Sequence, residues 1–181
     1  QYAKEDFGFA QQRVNGQKRI AVITGANSGL GLETARVLLH KGMQVVCACR
    51  NPQKAKEAME VLQEMTKERP DPSHEDISFM RLDVSSLDSV RSFAEEYKKT
   101  GKPIHVLLCN AGIMMGPQRK SVDGIDLQVA TNYLGHFLLC TLLKDTLIAS
   151  APARFVHVSS IAARMGAIDF SNLNPTGQPY N

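Results

Sequence analysis

A short apolar run that passes into a glycine-rich turn decides the fold of this chain: residues 19–31 read RIAVITGANSGLG. Consecutive apolar and β-branched residues at 19–24 predict a strand buried on both faces of a parallel sheet. Apolar side chains then recur at helical spacing over 31–40, and Lys41-Gly42 supplies a basic last turn and a glycine stop. The stretch therefore predicts a strand, a tight glycine turn and a helix in direct succession.

Strands and helices alternate along the rest of the chain. The same periodicities predict strands at 43–49, 77–82, 105–109 and 154–158, and helices at 54–68, 86–99 and 124–148. This alternation predicts an α/β fold, a Rossmann-type doubly wound parallel sheet in three α/β/α layers. We interpret residues 1–181 as a single domain whose residues 1–17 are an N-terminal extension. A start at Gln1 without Met and an end at Asn181 lead us to expect a fragment that lacks the C-terminal part of the fold.

Composition narrows the classes of function. A formal net charge of +3 over 181 residues is too weak to indicate a nucleic-acid partner, and no stretch is apolar for long enough to span a membrane. The 4 cysteines lack the spacing of a zinc knuckle, and the 5 histidines show no metal-ligand pattern, so we predict no metal site. Reduced, mostly buried thiols are typical of a cytoplasmic protein.

The glycine turn has a functional interpretation and a purely structural one. Glycines at a strand–helix junction let the backbone approach a pyrophosphate, and the N–H groups of the helix N-terminus attract the anion. The alternative is a tight junction that binds nothing. Its place at the first strand–helix turn of an alternating α/β chain favours phosphate binding.

Further motifs follow the later strands in a fixed order. Asp83 ends the third strand, Asn110-Ala111-Gly112 follows the fourth, Asn132 opens NYLGHF at 132–137, and Ser160 closes VSS at 158–160. With the T-G-x-x-x-G-x-G spacing at 24–31, these motifs resemble those of the short-chain dehydrogenase/reductase family. The runs at 48–51, 123–124, 134–137 and 150–154 are most similar to its retinol dehydrogenase and WW-domain oxidoreductase branch.

The resemblance implies a nicotinamide dinucleotide site. The glycine turn would hold the pyrophosphate, Asp83 would lie near the adenine, and the Asn-Ala-Gly motif would border the nicotinamide ribose. The expected cofactor-binding residues are Gly25, Asn27, Ser28, Gly29, Leu30, Gly31, Arg50, Asn51, Lys54, Asp83, Val84, Asn110, Ala111 and Gly112.

The charge at the end of the second strand bears on the choice of cofactor. An NAD enzyme places a carboxylate there to bind the ribose 2′-OH, whereas this chain has Arg50 with Lys54 one helical turn further on. A guanidinium pairs bidentately with a 2′-phosphate, so we predict NADP(H). The alternative is that Arg50 only begins a solvated helix face.

For catalysis, the resemblance assigns Ser160 to orient a carbonyl oxygen and Asn132 to hold a proton relay. The family's Y-x-x-x-K motif would follow the serine. Tyr180 is either the tyrosine of that motif, without its lysine, or part of the linker that precedes the motif. We favour the linker. We expect hydride transfer to or from an apolar carbonyl or alcohol substrate of the retinoid, steroid or lipid aldehyde class. Met114 and Met115 either line the substrate cleft or fill the core. A noncatalytic dinucleotide-binding sensor or scaffold is the alternative function, and a homodimer is possible.

Overall fold

Five parallel strands form one sheet in a computed structural model that describes residues 8–69, 71–114, 116–164 and 166–175. The strands are β1 (Ile20–Thr24), β2 (Gln44–Cys49), β3 (Ile77–Arg81), β4 (Val106–Cys109) and β5 (Arg154–His157), and their order is β3-β2-β1-β4-β5. The longer helices are α1 (Gly29–His40), α2 (Pro52–Met65), α3 (Leu87–Lys99) and α4 (Gly135–Ala149). The predicted doubly wound parallel sheet is confirmed.

Alternation along β1 divides the core into two layers. Ala21 and Ile23 face one side, where they join buried residues of α1 and α2. Ile20 and Val22 face the other side, where they join buried residues of α3 and α4. Successive strand side chains point to opposite faces, so an unbroken apolar run is what a strand covered on both faces requires.

Side-chain caps set the start of three helical segments. Asn51 accepts a hydrogen bond from the Lys54 backbone N–H ahead of α2, and Ser86, the N-cap of α3, accepts one from the Ser89 N–H. The last helix begins later than the predicted residue 124, because Gly124 has a left-handed φ of +75°. A short turn at Leu127–Val129 follows the Asp126 cap, then a π-helical turn at Ala130–Leu134 leads into α4.

The predicted N-terminal extension contributes one helical turn within the described residues, Gly8–Gln11. Its Phe9 ring lies between two guanidinium groups, 4.1 Å from that of Arg19 and 4.0 Å from that of Arg154. This contact joins the extension to the amino ends of β1 and β5. No helix in the described part of the chain is long and apolar enough to cross a membrane.

Strand order reverses between β1 and β4, and a crevice opens there at the carboxyl ends of the strands. Helices on opposite faces diverge at such a point, which is where open α/β sheets bind ligands. Gly135 brings the start of α4 against the loop after β3, since a Cβ at this position would lie 1.8 Å from the Val84 carbonyl oxygen. The close approach sets the wall of the crevice.

Candidate functional site

A cavity of about 680 Å³ occupies the crevice. Ten of the expected cofactor-binding residues line it: Gly25, Asn27, Ser28, Leu30, Arg50, Asp83, Val84, Asn110, Ala111 and Gly112. The volume lies within the range of small-molecule and cofactor sites. Residues separated by almost ninety positions in sequence thus meet at one edge of the sheet, because the carboxyl ends of parallel strands coincide there.

The four other expected cofactor residues do not line the cavity. Gly29 and Gly31 belong to the turn and the first turn of α1 without lining the cavity. Asn51 is a helix cap, with its Oδ1 3.1 Å from the Lys54 backbone nitrogen, and Lys54 itself is exposed on α2. The role of Asn51 that the structure shows is therefore local, in starting α2.

Three glycines of the turn meet different steric requirements. Gly25 has φ +67°, and a Cβ there would lie 3.0 Å from the Ala111 Cα. Gly31 packs α1 on the turn, since its Cβ would lie 2.4 Å from the Gly25 carbonyl oxygen. Gly29 has φ +54° with nothing within 4 Å of its Cβ position. The first and third glycines permit close packing, and the second leaves open space at the N-terminus of α1.

The N-terminus of α1 lacks the side-chain cap that α2 and α3 have. Ser28 occupies the N-cap position, but its side chain makes no capping hydrogen bond. The caps of α2 and α3 do accept from backbone N–H groups of their helices. N–H groups without a side-chain cap and the positive end of the helix dipole make this end of α1 suited to an anionic ligand.

Opposite charges meet where β2 and β3 end. Arg50 Nη1 lies 3.9 Å from Asp83 Oδ2, and the Arg50 side chain is 71% exposed. The other carboxylate oxygen of Asp83 accepts hydrogen bonds from the Ser85 N–H at 3.0 Å and the Ser85 hydroxyl at 2.6 Å. A second guanidinium, that of Arg119, also lines the cavity. The Arg50 fork remains accessible to a phosphate, because its contact with Asp83 is long and solvated.

Thr24 joins β1 to the Asn-Ala-Gly turn after β4. Its hydroxyl oxygen accepts hydrogen bonds from the backbone N–H groups of Asn110 and Ala111, both at 2.9 Å. The Asn110 side-chain amide donates to the Thr24 carbonyl oxygen, also at 2.9 Å. The motif thereby holds two loops of the cavity wall in a fixed relation.

His136 completes this network from α4. Its Nε2 lies 2.9 Å from the Thr24 hydroxyl oxygen, and its ring also hydrogen-bonds to the Asn132 backbone. The Thr24 oxygen already accepts two N–H groups, so its own proton is donated either to Nε2 of a neutral imidazole at 2.9 Å or to the Leu108 carbonyl oxygen at 3.5 Å. Burial lowers the pKa of His136 to about 4, and repulsion from His157 acts in the same direction. Sequence reasoning found no metal-ligand pattern for His136 and missed its partner Thr24.

Asn132 lies in the π-helical turn and fastens the loop after β4. Its Oδ1 accepts from the Ile113 N–H and its Nδ2 donates to the Ile113 carbonyl oxygen, each at 2.9 Å. π-Helical turns are frequent at functional sites. Both polar groups of the side chain are occupied by backbone, so Asn132 acts here as a positioning residue.

Ser160 lies apart from the cavity lining, on the exposed stretch after β5. Its Oγ accepts a hydrogen bond from the Ala162 N–H at 3.2 Å. Met114 is 75% exposed at the cavity mouth, which agrees with a cleft rather than a core position. Met115 and Tyr180 lie outside the described residues.

Comparisons with known proteins show the family of this chain. The short chain dehydrogenase family profile matches residues 19–172. Retinol dehydrogenase 12 of Homo sapiens is 41% identical over 166 residues, which cover 92% of this chain and 51% of that protein. WW domain-containing oxidoreductase of Homo sapiens is 41% identical over 170 residues, covering 90% of this chain and 39% of that protein. The chain thus spans about half the length, or less, of these curated relatives.

Solved structures show the same fold. A crystal structure of an uncharacterized protein from Mycobacterium paratuberculosis aligns with a TM-score of 0.72 and 38% identity, covering 90% of this chain and 53% of that one. A short chain dehydrogenase/reductase family protein aligns with a TM-score of 0.64 and 26% identity, covering 86% and 60%. The branch resemblance predicted from the motifs is confirmed by the two curated relatives.

Proposed function

Because this chain belongs to the short-chain dehydrogenase/reductase family, we propose that the full-length protein is an NADP(H)-dependent oxidoreductase. The reaction would be hydride transfer between the nicotinamide and an apolar carbonyl or alcohol. Family membership supports the oxidoreductase class and a nicotinamide cofactor. The choice of NADP(H) and the apolar substrate rest on the residues around the cavity.

Arg50 carries the proposal for NADP(H). It stands at the carboxyl end of β2 beside the cavity, at the position from which an NAD enzyme would present a carboxylate to the ribose. An exposed guanidinium can pair bidentately with a 2′-phosphate. The nearest acidic group, Asp83, has one oxygen engaged by Ser85 and lies 3.9 Å from the guanidinium, so it leaves Arg50 able to bind.

The turn after β1 fits the pyrophosphate. Gly29 leaves open space in front of α1, and the helix N-terminus has N–H groups without a side-chain cap. These groups would bind the phosphate oxygens, while Asn110 and Ala111 would border the nicotinamide end. The cofactor supplies or takes the hydride when bound.

The protein's own residues would position the other reactants. Asn132 would hold the proton relay through its place in the π-helical turn, and Ser160 would donate a hydrogen bond to the reacting oxygen. Apolar side chains at the cavity mouth, Ile113, Met114 and Leu127, support a substrate with a hydrocarbon body. The similarity to retinol dehydrogenase 12 supports the same class of substrate.

Exchanging the charge at residue 50 tests the choice of cofactor. Arg50→Asp in the full-length protein should weaken NADPH binding by roughly tenfold to a hundredfold or more, since a hydrogen bond to a charged group contributes about 1.5–3 kcal/mol. The affinity for NADH, which has no 2′-phosphate, should change little. Titration of both dinucleotides gives the two dissociation constants.

Arg91→Asp is the matched control, because Arg91 is an exposed arginine of α3 that does not line the cavity. It should leave both dissociation constants unchanged. Equal losses for NADPH and NADH in Arg50→Asp would contradict the NADP(H) assignment. Tight NADPH binding by a full-length protein that turns over no carbonyl or alcohol would instead favour the noncatalytic module.

A further inference from the structure

Among the described residues, three soft metal ligands converge behind the cavity wall. They are Cys109 at the end of β4, Cys140 on α4 and His157 at the end of β5, and their ligand atoms all lie within 4.8 Å of one another. Cys109 Sγ lies 3.7 Å from Cys140 Sγ, and Cys140 Sγ lies 3.9 Å from His157 Nε2. The nucleotide site uses none of these three side chains.

The fold itself brings the ligands together. Cys109 and His157 are register partners on neighbouring parallel strands, so their side chains leave the same face of the sheet. α4 covers that face and places Cys140 against them. Three different elements contribute one ligand each, which makes the cluster a product of the tertiary packing.

We propose that Cys109, Cys140 and His157 supply three of the ligands of a Zn²⁺ site. Zinc binds cysteine sulfur at about 2.3 Å and histidine nitrogen at about 2.0–2.1 Å in tetrahedral geometry. Those bond lengths place two sulfur ligands about 3.8 Å apart and a sulfur and a nitrogen about 3.5 Å apart. The separations of 3.7 and 3.9 Å need side-chain movements of only a few tenths of an ångström, and the third pair, Cys109 Sγ and the His157 nitrogen, lies within 4.8 Å and would close by up to about 1.3 Å.

The three ligands differ in burial within residues 1–181. Cys109 is buried, Cys140 is half-buried and His157 is exposed on β5, the edge strand of this sheet. Without metal, the hydrogen bond with Cys140 and burial raise the pKa of the Cys109 thiol well above its usual range. Zn²⁺ would displace the two thiol protons, which pass to solvent, and both sulfurs would bind as thiolates.

Binding would cross-link three elements next to the nucleotide site. Asn110 directly follows Cys109, and Ser160 lies just beyond His157. Because the ligands come together only in the folded chain, bound Zn²⁺ should stabilise the native state and raise the thermal midpoint. The site stands apart from the proposed oxidoreductase activity and does not depend on it.

Cobalt substitution tests the site directly. The reduced full-length protein, titrated with Co²⁺, should develop thiolate-to-cobalt charge-transfer absorption and the intense visible bands of a tetrahedral site. One equivalent of Zn²⁺ should abolish both. Cys140→Ser and His157→Gln should each weaken Co²⁺ binding by at least the ten- to hundredfold that loss of a supporting partner costs.

Cys47→Ala and His40→Gln are the matched controls. Cys47 packs on the other face of the sheet and His40 is exposed at the end of α1, so both variants should bind Co²⁺ as the wild type does. His157→Gln leaves both thiols in place, so it tests the site even if a cysteine variant fails to fold. Absence of thiolate absorption with Co²⁺, or wild-type binding by His157→Gln, would overturn the proposal.

Discussion

Adding one methyl group at Gly31 should destabilise the fold through the contact between α1 and the turn. The new Cβ of Gly31→Ala would lie 2.4 Å from the Gly25 carbonyl oxygen and 2.6 Å from the Asn110 side-chain nitrogen. Ordinary contact begins at 3.4 Å, so one side must retreat by about 1 Å. Asn110 is itself tied to the Thr24 carbonyl oxygen, so relief is costly there. We expect a loss near the upper end of the ~1–3 kcal/mol typical of overpacking.

Gly29→Ala should behave differently, although it lies only two residues away. Its Cβ would meet nothing within 4 Å, so the cost to the free protein is the left-handed backbone at φ +54°, about 1–2 kcal/mol. The methyl group would instead fill the space in which the proposal places the pyrophosphate. Gly42→Ala is the control for backbone strain, because Gly42 has φ +85° and an equally open Cβ position at the far end of α1.

Thermal unfolding and NADPH titration of the three variants separate these effects. For a domain of this size, about 3 kcal/mol corresponds to a fall of roughly 6–12 °C in the midpoint for Gly31→Ala. The midpoints of Gly29→Ala and Gly42→Ala should fall by smaller amounts that are similar to each other. Of these two variants, only Gly29→Ala should bind NADPH more weakly. A wild-type midpoint for Gly31→Ala would refute the packing described for the turn, and wild-type NADPH affinity for Gly29→Ala would refute the placement of the phosphate.

Two further substitutions test the network and the chemistry. Because the pKa of folded His136 is lowered to about 4, the unfolded state binds the proton first as the pH falls below about 6.5, and stability declines until the folded pKa is reached. Between pH 7 and pH 5, the free energy of unfolding measured with urea should fall by about 2 kcal/mol more in the wild type than in His136→Gln. An equal dependence of this free energy on pH in the two proteins would exclude His136 as the cause. Ser160→Ala in the full-length protein should lower kcat by about a hundredfold to a thousandfold with an unchanged NADPH dissociation constant, and undiminished turnover would place the reacting oxygen elsewhere.

The strands were predictable from sequence to within a residue or two at each end, because each is a short, largely apolar or β-branched run between turn or helix signals, and β1, β2 and β4 are buried as such runs predict. The residues at their carboxyl ends were predictable for the same reason: once strand ends are known, Arg50, Asp83 and Asn110 must share one edge of the sheet. Lys54 follows in sequence but lies on α2, outside the cavity lining. From the sequence, Asn51 is equally consistent with a site residue and with a helix cap. Only the hydrogen bond that its Oδ1 accepts from the Lys54 N–H identifies it as the cap of α2.

Contacts that depend on how α4 crosses the sheet were beyond sequence reasoning. His136 and Thr24 are separated by 112 positions, and no spacing rule links them. Cys140 lies 31 positions from Cys109 and 17 from His157, far from the short ligand spacings by which metal sites are recognised. The prediction that the chain has no metal site followed from spacing alone, whereas the proposed zinc site follows from the register of β4 with β5 and the packing of α4 above them.

The hydrogen bonds of Thr24 couple the two halves of the proposed reaction centre. One side of its hydroxyl holds Asn110 and Ala111, which border the cavity, and the other side holds His136. His136 in turn bonds to the backbone of Asn132, whose side chain clasps Ile113 at the cavity mouth. A protonated imidazole would present a second donor to an oxygen that already accepts two, so the chain of bonds persists only while His136 is neutral. Burial of His136 therefore serves the geometry on both sides of the cavity, because the same low pKa keeps the cofactor wall and the relay asparagine in one arrangement.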